Sequence, residues 1–214
     1  MKVLMLNGSA NFKGCTYTAL EEIGNTLQAE GIEYEIFQLG SKPIRDCIGC
    51  AQCYEVGKCI FDDEEKIVQE FINKAKEADG FVFGTPVYYA HPSGRILSFL
   101  DRAFYTSSCG GTYPAFAHKP ASVVASARRG GTTASLDVLA KYFTIAQMPM
   151  VASTYWNMVH GNKPEEVRED KEGLQTMRNI ARNMAWLLKC IEAGKQNSVP
   201  MPKTEFGNKT NFIR

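Results

Sequence analysis

Apolar runs and amphipathic stretches alternate along the chain. "KVLMLNG" (2–8) is a short apolar run ending in turn residues and predicts a buried strand. "TALEEIGNTLQAEG" (18–31) spaces Leu20, Ile23 and Leu27 along one helical face, with Gly31 placed to close the helix. "IEYEIFQL" (32–39) alternates apolar and polar residues, as a strand nearer a sheet edge does. "DDEEKIVQEFINKAKEAD" (62–79) opens with acids suited to a helix N-terminus. It then puts Ile67, Val68, Phe71, Ile72 and Ala75 on one side.

The same rhythm continues. "GFVFGTP" (80–86) and "ASVVASA" (121–127) predict buried strands, followed by helices over 93–108 and 132–147. "MVASTYW" (150–156) predicts a fifth strand, and the last long helix lies within 164–194 after a charged turn. Cys109 and Cys190 read as buried helix residues. Residues 195–214 are polar, include Pro200 and Pro202, and predict a tail packed on the surface or on a partner subunit. Five β-α units give an α/β fold, one open and mostly parallel sheet with helices on both faces. No elements remain for a second core, so 1–194 is expected to form one domain, with an insertion at about 41–61. Such sheets take ligands beyond the carboxyl ends of their strands, at the point where strand order reverses. The loops after strands one, three, four and five are where chemistry belongs.

Composition acts mainly by exclusion. At 214 residues the chain can bury one sizeable core. A net charge of +1 supplies no field for nucleic acid or an anionic membrane surface. No apolar run reaches the length of a signal peptide or a membrane span, so the expected compartment is the cytoplasm, where thiols stay reduced. Seven cysteines, an odd number, favour metal or redox chemistry over a disulfide framework.

Four loops carry candidate chemistry. "NGSANFKGCTYT" (7–18) offers hydroxyls at Ser9, Thr16 and Thr18, flexible Gly8 and Gly14, and the free amides of a helix start. These make an anion site, with a Ser/Thr-rich helix cap as the plain alternative. It is not a P-loop, because the gap from Gly8 to Gly14 is one residue too long and Lys13 precedes the glycine. A phosphate held by amides and hydroxyls fits a mononucleotide that is bound and not hydrolysed. Cys15 at a helix start suggests a nucleophile, but Glu21 stands where a cysteine phosphatase needs arginine. "GTPVYYAHPSG" (84–94) gives a stiff exit at Pro86 and apolar or aromatic surface at Val87, Tyr88 and Tyr89, suited to a flat ring or to ordinary packing. "SARRGGTTAS" (126–135) allows close backbone approach, beside Arg128 and Arg129. "YWNMVHG" (155–161) is expected to bring Trp156, Asn157 and His160 to the same rim.

A fifth stretch lies outside this set. "CIGCAQCYEVGKC" (47–59) places Cys47, Cys50, Cys53 and Cys59 at C-x2-C-x2-C-x5-C, a strong metal-site pattern in a reducing compartment. Zinc held by four thiolates is one way to satisfy it, although three ligands at this spacing crowd more tightly than in paired zinc knuckles.

In this order and spacing, "GSANFKGCTYT", "GTPVYYAHPSGRILSFLDR" and "SARRGG" resemble the flavodoxin-fold NADPH-dependent FMN reductase family, most of all its iron–sulfur flavoprotein branch. The similarity covers about residues 1–160. It implies a flavodoxin-like doubly wound sheet of five parallel strands, in the order 2-1-3-4-5, and FMN as cofactor. By position, Ser9, Asn11, Cys15, Thr16 and Tyr17 would surround the FMN phosphate. Pro86, Val87, Tyr88 and Tyr89 would line the isoalloxazine and ribityl chain, and Ala127, Arg128, Gly130 and Gly131 would face its other edge. The family's phosphate loop often reads G-S-P-R-x-x-G-N-T. Here Ala10 and Asn11 replace Pro and Arg, and Cys15 replaces Asn, so the grip is differently arranged.

The branch's similar cysteine segment ligates a [4Fe–4S] cluster, which makes Cys47, Cys50, Cys53 and Cys59 its expected ligands. A loop that serves a subunit interface without a cluster is the alternative. The implied activity is an FMN-dependent oxidoreductase that takes hydride from NAD(P)H. Electrons would pass to a quinone, a nitro or azo compound or a redox protein, with no side chain needed as acid, base or nucleophile. The resemblance also implies a homodimer or homotetramer. Rival readings are a flavodoxin-like electron carrier without NAD(P)H turnover and a zinc-stapled interaction domain.

Overall fold

The structure is a computed structural model and describes residues 1–62, 66–108 and 111–212. In chain order its elements are β1 (Lys2–Asn7), α1 (Cys15–Ala29), β2 (Glu33–Gln38), α2 (Cys53–Val56), α3 (Ile67–Glu77), β3 (Gly80–Tyr88), β4 (His91–Pro92) and α4 (Gly94–Ser107). β5 (Ala121–Ala127), α5 (Thr132–Ile145), β6 (Met158–His160), α6 (Pro164–Glu169) and α7 (Lys171–Gln196) complete the chain. The sheet runs β2-β1-β3-β5-β6 with every pair parallel, and β4 folds back antiparallel on β3. Counting only the parallel strands, this is the flavodoxin-like order 2-1-3-4-5 that the resemblance implied.

Strand alternation divides the core between two faces. Val3, Met5, Val82 and Val124 pack under α1 and α7, where Leu20, Ile23, Ile180 and Met184 are buried. Leu4, Leu6, Phe81, Phe83 and Val123 point the other way, toward α3, α4 and α5. That second face is aromatic. The Phe71 ring lies 5.1–6.3 Å from those of Phe37, Phe83, Phe99 and Phe116, and the Phe104 and Phe116 rings stack at 4.3 Å. Edge and offset contacts of this kind add directional attraction to area burial.

Pro86 sits inside β3, where a missing N–H ordinarily breaks a ladder. β1 has already ended at Asn7, opposite Gly84, so no strand on that side needs the donor. α3 is capped as its acids predict: Asp62 accepts from the amides of Val68 and Gln69 at 2.9 and 2.8 Å. The other acids of that run, Asp63, Glu64 and Glu65, lie outside the described residues, as does Cys109.

Two expectations need correction. The segment 150–156 is not a strand; it touches β5 through one bridge, Met150 to Ala121, and the edge strand forms at Met158–His160. The reason is competition from α7. Asn183 Nδ2 donates to Ala152 O at 2.8 Å, Asn179 Nδ2 to Thr154 Oγ1 at 3.1 Å, and Ser153 Oγ to Thr176 O at 2.8 Å. These bonds draw 152–154 off the sheet edge. Cys190 is exposed, not buried. The buried stripe of α7 passes through Met184, Ala185 and Leu188, and a residue two past Leu188 is turned about 200° away from it.

Among the described residues between β2 and α3, the one regular element is the short α2, closed by Gly57 at φ +71°. Two arginines of α4 pin it. Arg95 donates to the carbonyls of Ser41, at 3.0 Å, and Lys42, and Arg102 donates to the carbonyl of Phe61. Beyond α7 the chain is extended and exposed through residue 212, and it meets the body where Thr204 Oγ1 donates to Gln147 Oε1 at 2.9 Å. Among the described residues no helix is long and apolar enough to cross a membrane.

Candidate functional site

The carboxyl ends of β1, β3 and β5 converge on one crevice. In the loop after β1, the Oδ1 of fully buried Asn7 accepts from Ser9 N at 3.1 Å, and Ser9 Oγ accepts from Asn11 N at 3.1 Å. Side chains thus do the work of a backbone turn. Gln38 of β2 adds a bond to Ser9 O at 2.7 Å. Gly8 is wedged in place: a Cβ there would stand 2.7 Å from Ile96 Cδ1 and 2.9 Å from Gly84 O. Ser93 caps α4 and donates from Oγ to Gly8 O at 3.0 Å, so the start of α4 is tied to the first loop.

That loop delivers α1 with its first turn open. Gly14 is the N-cap, no side chain caps the helix, and the first turn holds no acid. The leading amides therefore lack intrahelical partners at the positive end of the helix dipole. Thr16 points inward, and its Oγ1 lies 2.7 Å from Ser126 Oγ at the end of β5. Thr18 turns back to bond Gly14 O at 3.2 Å. Cys15 is half-buried, with its thiol 3.6 Å from Gly161 O. Burial pushes this thiol above its ordinary pKa; a hydrogen bond from its own backbone amide opposes it in part, and Glu166 and Glu165 add smaller upward pushes. A protonated thiol is a poor nucleophile, so the structure agrees with the failed phosphatase pattern.

The other wall is a hairpin. Val87 and Tyr88 pair with Pro92 and His91, and the turn between them has Tyr89 at φ +51° and Ala90 at φ +58°. Two consecutive positive φ values are the mark of a tight turn that matches strand twist. Tyr89 is fully exposed at the tip, and Tyr88 is half exposed. Gly131, at φ +94°, packs beneath: a Cβ would meet Ala90 Cα at 2.4 Å and Val87 Cγ1 at 2.9 Å. The β5–α5 loop and the hairpin therefore touch, and no other residue fits at 131. Ala127 is buried at the strand end, while Arg128, Arg129 and Gly130 are exposed on the rim.

The rim expected from 155–161 is only partly there. His160 reaches it, with Nε2 3.1 Å from Arg129 O. Asn157 does not, because its Nδ2 is bonded to Ser122 Oγ at 3.0 Å, near the opposite end of β5. Trp156 lies with Tyr155 over an apolar groove beside Val123, Leu136 and Met150. Asn7, Gln38 and Ser93 position the loops through these bonds, and Thr85 joins them by accepting from Ser93 N at 3.1 Å; of the four only Ser93, a serine opening a helix, carries a local sequence signal.

The four cysteines also gather. Cys47, Cys50, Cys53 and Cys59 line one small cavity together with Arg102, Tyr105 and Thr106. All four are free thiols, and among the described residues no three His, Cys, Asp or Glu side chains stand close enough to hold a metal ion as they are. The donor set is nevertheless one kind of soft ligand facing one space, and three of the four lie on loop backbone outside α2. Burial raises the Cys53 thiol above its ordinary value, partly offset by a hydrogen bond with Thr106.

Residues 1–163 match the profile of the NADPH-dependent FMN reductase family. The chain belongs to that family. An iron–sulfur flavoprotein of Methanocaldococcus jannaschii is 32% identical over 205 residues, covering 90% of this chain and 100% of that protein. Among solved structures, RosB superposes with a TM-score of 0.68 at 15% identity, over 100% of this chain and 94% of that one. An archaeal flavodoxin superposes at 0.57 and 14% identity, over 88% and 99%. Both show the shared fold. As an FMN reductase family member, the protein is a flavodoxin-like, FMN-dependent oxidoreductase. The matched segment contains the crevice and the four-cysteine insertion but ends before α6.

Proposed function

We propose that FMN lies in the crevice with its phosphate at the open first turn of α1. Ser9, Asn11, Cys15, Thr16 and Tyr17 would surround the phosphate. The ring would rest against Pro86, Val87, Tyr88 and Tyr89, with Ala127, Arg128, Gly130 and Gly131 at its other edge. The observation that carries this placement is the Thr16–Ser126 hydroxyl pair, 2.7 Å apart, beside uncapped helix amides. Amides and neutral hydroxyls can hold a phosphate without activating its hydrolysis. Bound FMN would supply the redox chemistry, taking hydride from a reduced nicotinamide and giving electrons to a second acceptor.

The chain's own part is positioning. The hairpin and Gly131 fix one wall of the crevice, and the exposed tyrosines leave room for a second planar ring on the open side. Arg128 and Arg129 on the rim offer charge to an anionic cosubstrate such as NADPH. We read Cys47, Cys50, Cys53 and Cys59 as ligands of a [4Fe–4S] cluster, on the strength of four thiols around one cavity and of relatives named iron–sulfur flavoproteins. A cluster there would accept electrons from the flavin.

Anaerobic purification followed by iron, zinc and FMN assays and stopped-flow mixing with NADPH tests the whole reading. The expected result is one FMN per chain, bleached by NADPH, with iron and inorganic sulfide present. Flavin that stays yellow would point to an electron carrier instead. Zinc at one per chain with no flavin would overturn the proposal.

A further inference from the structure

The four-cysteine segment leaves one side chain unexplained by packing. Arg102, on a helix of the flavin-binding half, is only 2% exposed. A buried guanidinium is costly unless its charge and donors are matched. Two of its contacts meet that need: Nη2 donates to Phe61 O and lies 3.6 Å from Asp62 Oδ1. Asp62 is itself immobilised by the α3 amides of Val68 and Gln69. A staple for the insertion would be complete with these alone. Yet Nε–H is aimed elsewhere, at Cys59 Sγ, 3.4 Å away. A neutral thiol is a weak acceptor, whereas a thiolate takes a charge-assisted bond.

Cys59 lies outside the run formed by the other three, in a turn where its carbonyl accepts from Asp62 N at 3.1 Å and its side chain packs against the aromatic core. Cys47, Cys50 and Cys53 follow one another at intervals of three, but Cys59 comes after α2 has been ended by Gly57 at φ +71°. Its sulfur is met from across the chain, by Arg102 of α4. Four thiolates around a divalent ion or an iron–sulfur core leave net negative charge in a confined space, and one buried cation offsets part of it.

We propose that Arg102 is the positioning residue of the four-cysteine centre: it holds the Cys59 sulfur for the metal and raises the reduction potential of what is bound. This rests on the reading of that segment as a metal centre; the hold on the Cys59 sulfur applies to any thiolate-bound metal, and the effect on potential to the iron–sulfur cluster. Hydrogen bonds to the sulfurs stabilise added electron density, so losing the Nε donor lowers the potential.

The test uses the full chain with FMN bound, freed of metal under anaerobic conditions. Cobalt(II) is the probe, because its thiolate charge-transfer absorption reports sulfur ligation directly. Arg102→Gln is expected to weaken cobalt binding by roughly 10- to 100-fold, the usual effect of losing an outer partner of a metal ligand. Asp62→Asn, which keeps the Nε–Sγ bond, should bind within a few-fold of the parent. In iron-reconstituted protein, Arg102→Gln should move the cluster midpoint to more negative potential and leave the flavin midpoint in place. Arg102→Lys keeps the charge without the forked geometry and should fall between parent and Gln on both readouts; it decides the matter if the Gln variant fails to retain FMN. Parent-like cobalt affinity and midpoint in the folded Arg102 variants would overturn the inference and leave the metal centre standing. A parent protein that takes neither cobalt nor iron would overturn the metal centre, and this inference with it.

Discussion

Thr16 Oγ1 and Ser126 Oγ lie 2.7 Å apart, joining the first turn of α1 to the end of β5 across 110 residues of chain. Both side chains are buried, so each hydroxyl depends on the other. Removing one leaves its partner unsatisfied, at a cost of about 1–3 kcal/mol. Thr16→Val or Ser126→Ala should therefore lower stability by that amount in urea unfolding. The double variant should lose less than the sum of the two. Either single change should also weaken FMN, read by fluorescence quenching on titration.

Gly131 and Gly130 are neighbours with opposite tolerances. Alanine at 131 would hold φ +94° and drive its Cβ to 2.4 Å from Ala90 Cα, whereas alanine at 130 would meet nothing within 4 Å. Gly131→Ala should destabilise by more than about 1 kcal/mol and loosen FMN. Gly130→Ala should leave stability unchanged. Paired thermal melts and flavin titrations separate them.

Tyr89 projects fully into solvent from the hairpin tip. Tyr89→Ala should leave unfolding within about 0.5 kcal/mol of the parent. If the ring of FMN rests there, its affinity should drop by about 0.5–1.5 kcal/mol, the worth of an aromatic contact. Urea unfolding checks the first half and calorimetric titration with FMN the second, since a purely structural tyrosine would reverse them.

Burial raises the Cys15 thiol, so the native state holds that proton more firmly than the unfolded chain does. Stability from the neutral thiol is complete below the unfolded value, about 8.5, and is lost as pH climbs through the higher native one. Comparing the parent with Cys15→Ala over alkaline pH should show the parent losing stability relative to the variant above about 8.5. Iodoacetamide should label Cys15 more slowly than exposed Cys190 at neutral pH.

The centre of the sheet could be read from the chain because β1, β3 and β5 are almost wholly buried, and burial writes itself as unbroken apolar runs such as Val3 to Leu6 and Phe81 to Phe83. The edge could not. "MVASTYW" has strand composition, but Asn179 and Asn183, far along the chain, claim its polar groups. The crevice was legible as loops and illegible as contacts: nothing local tells Thr16 that it will meet Ser126, or Gly131 that it will lie under Ala90. Arg102 was hidden most thoroughly. An arginine in an amphipathic helix reads as solvent-facing until the inserted segment folds over it.

Arg95 and Arg102 are seven residues apart on α4, close to two turns, and so they face the same way. Ser93, just before them, grips the first loop of the crevice. This helix is thereby a ruler between the crevice and the four-cysteine segment. Adding one residue between the arginines would swing the second by about 100° and advance it about 1.5 Å. Relatives that keep both anchorage points should therefore vary freely in the loops on either side while tolerating no insertion or deletion in that octet.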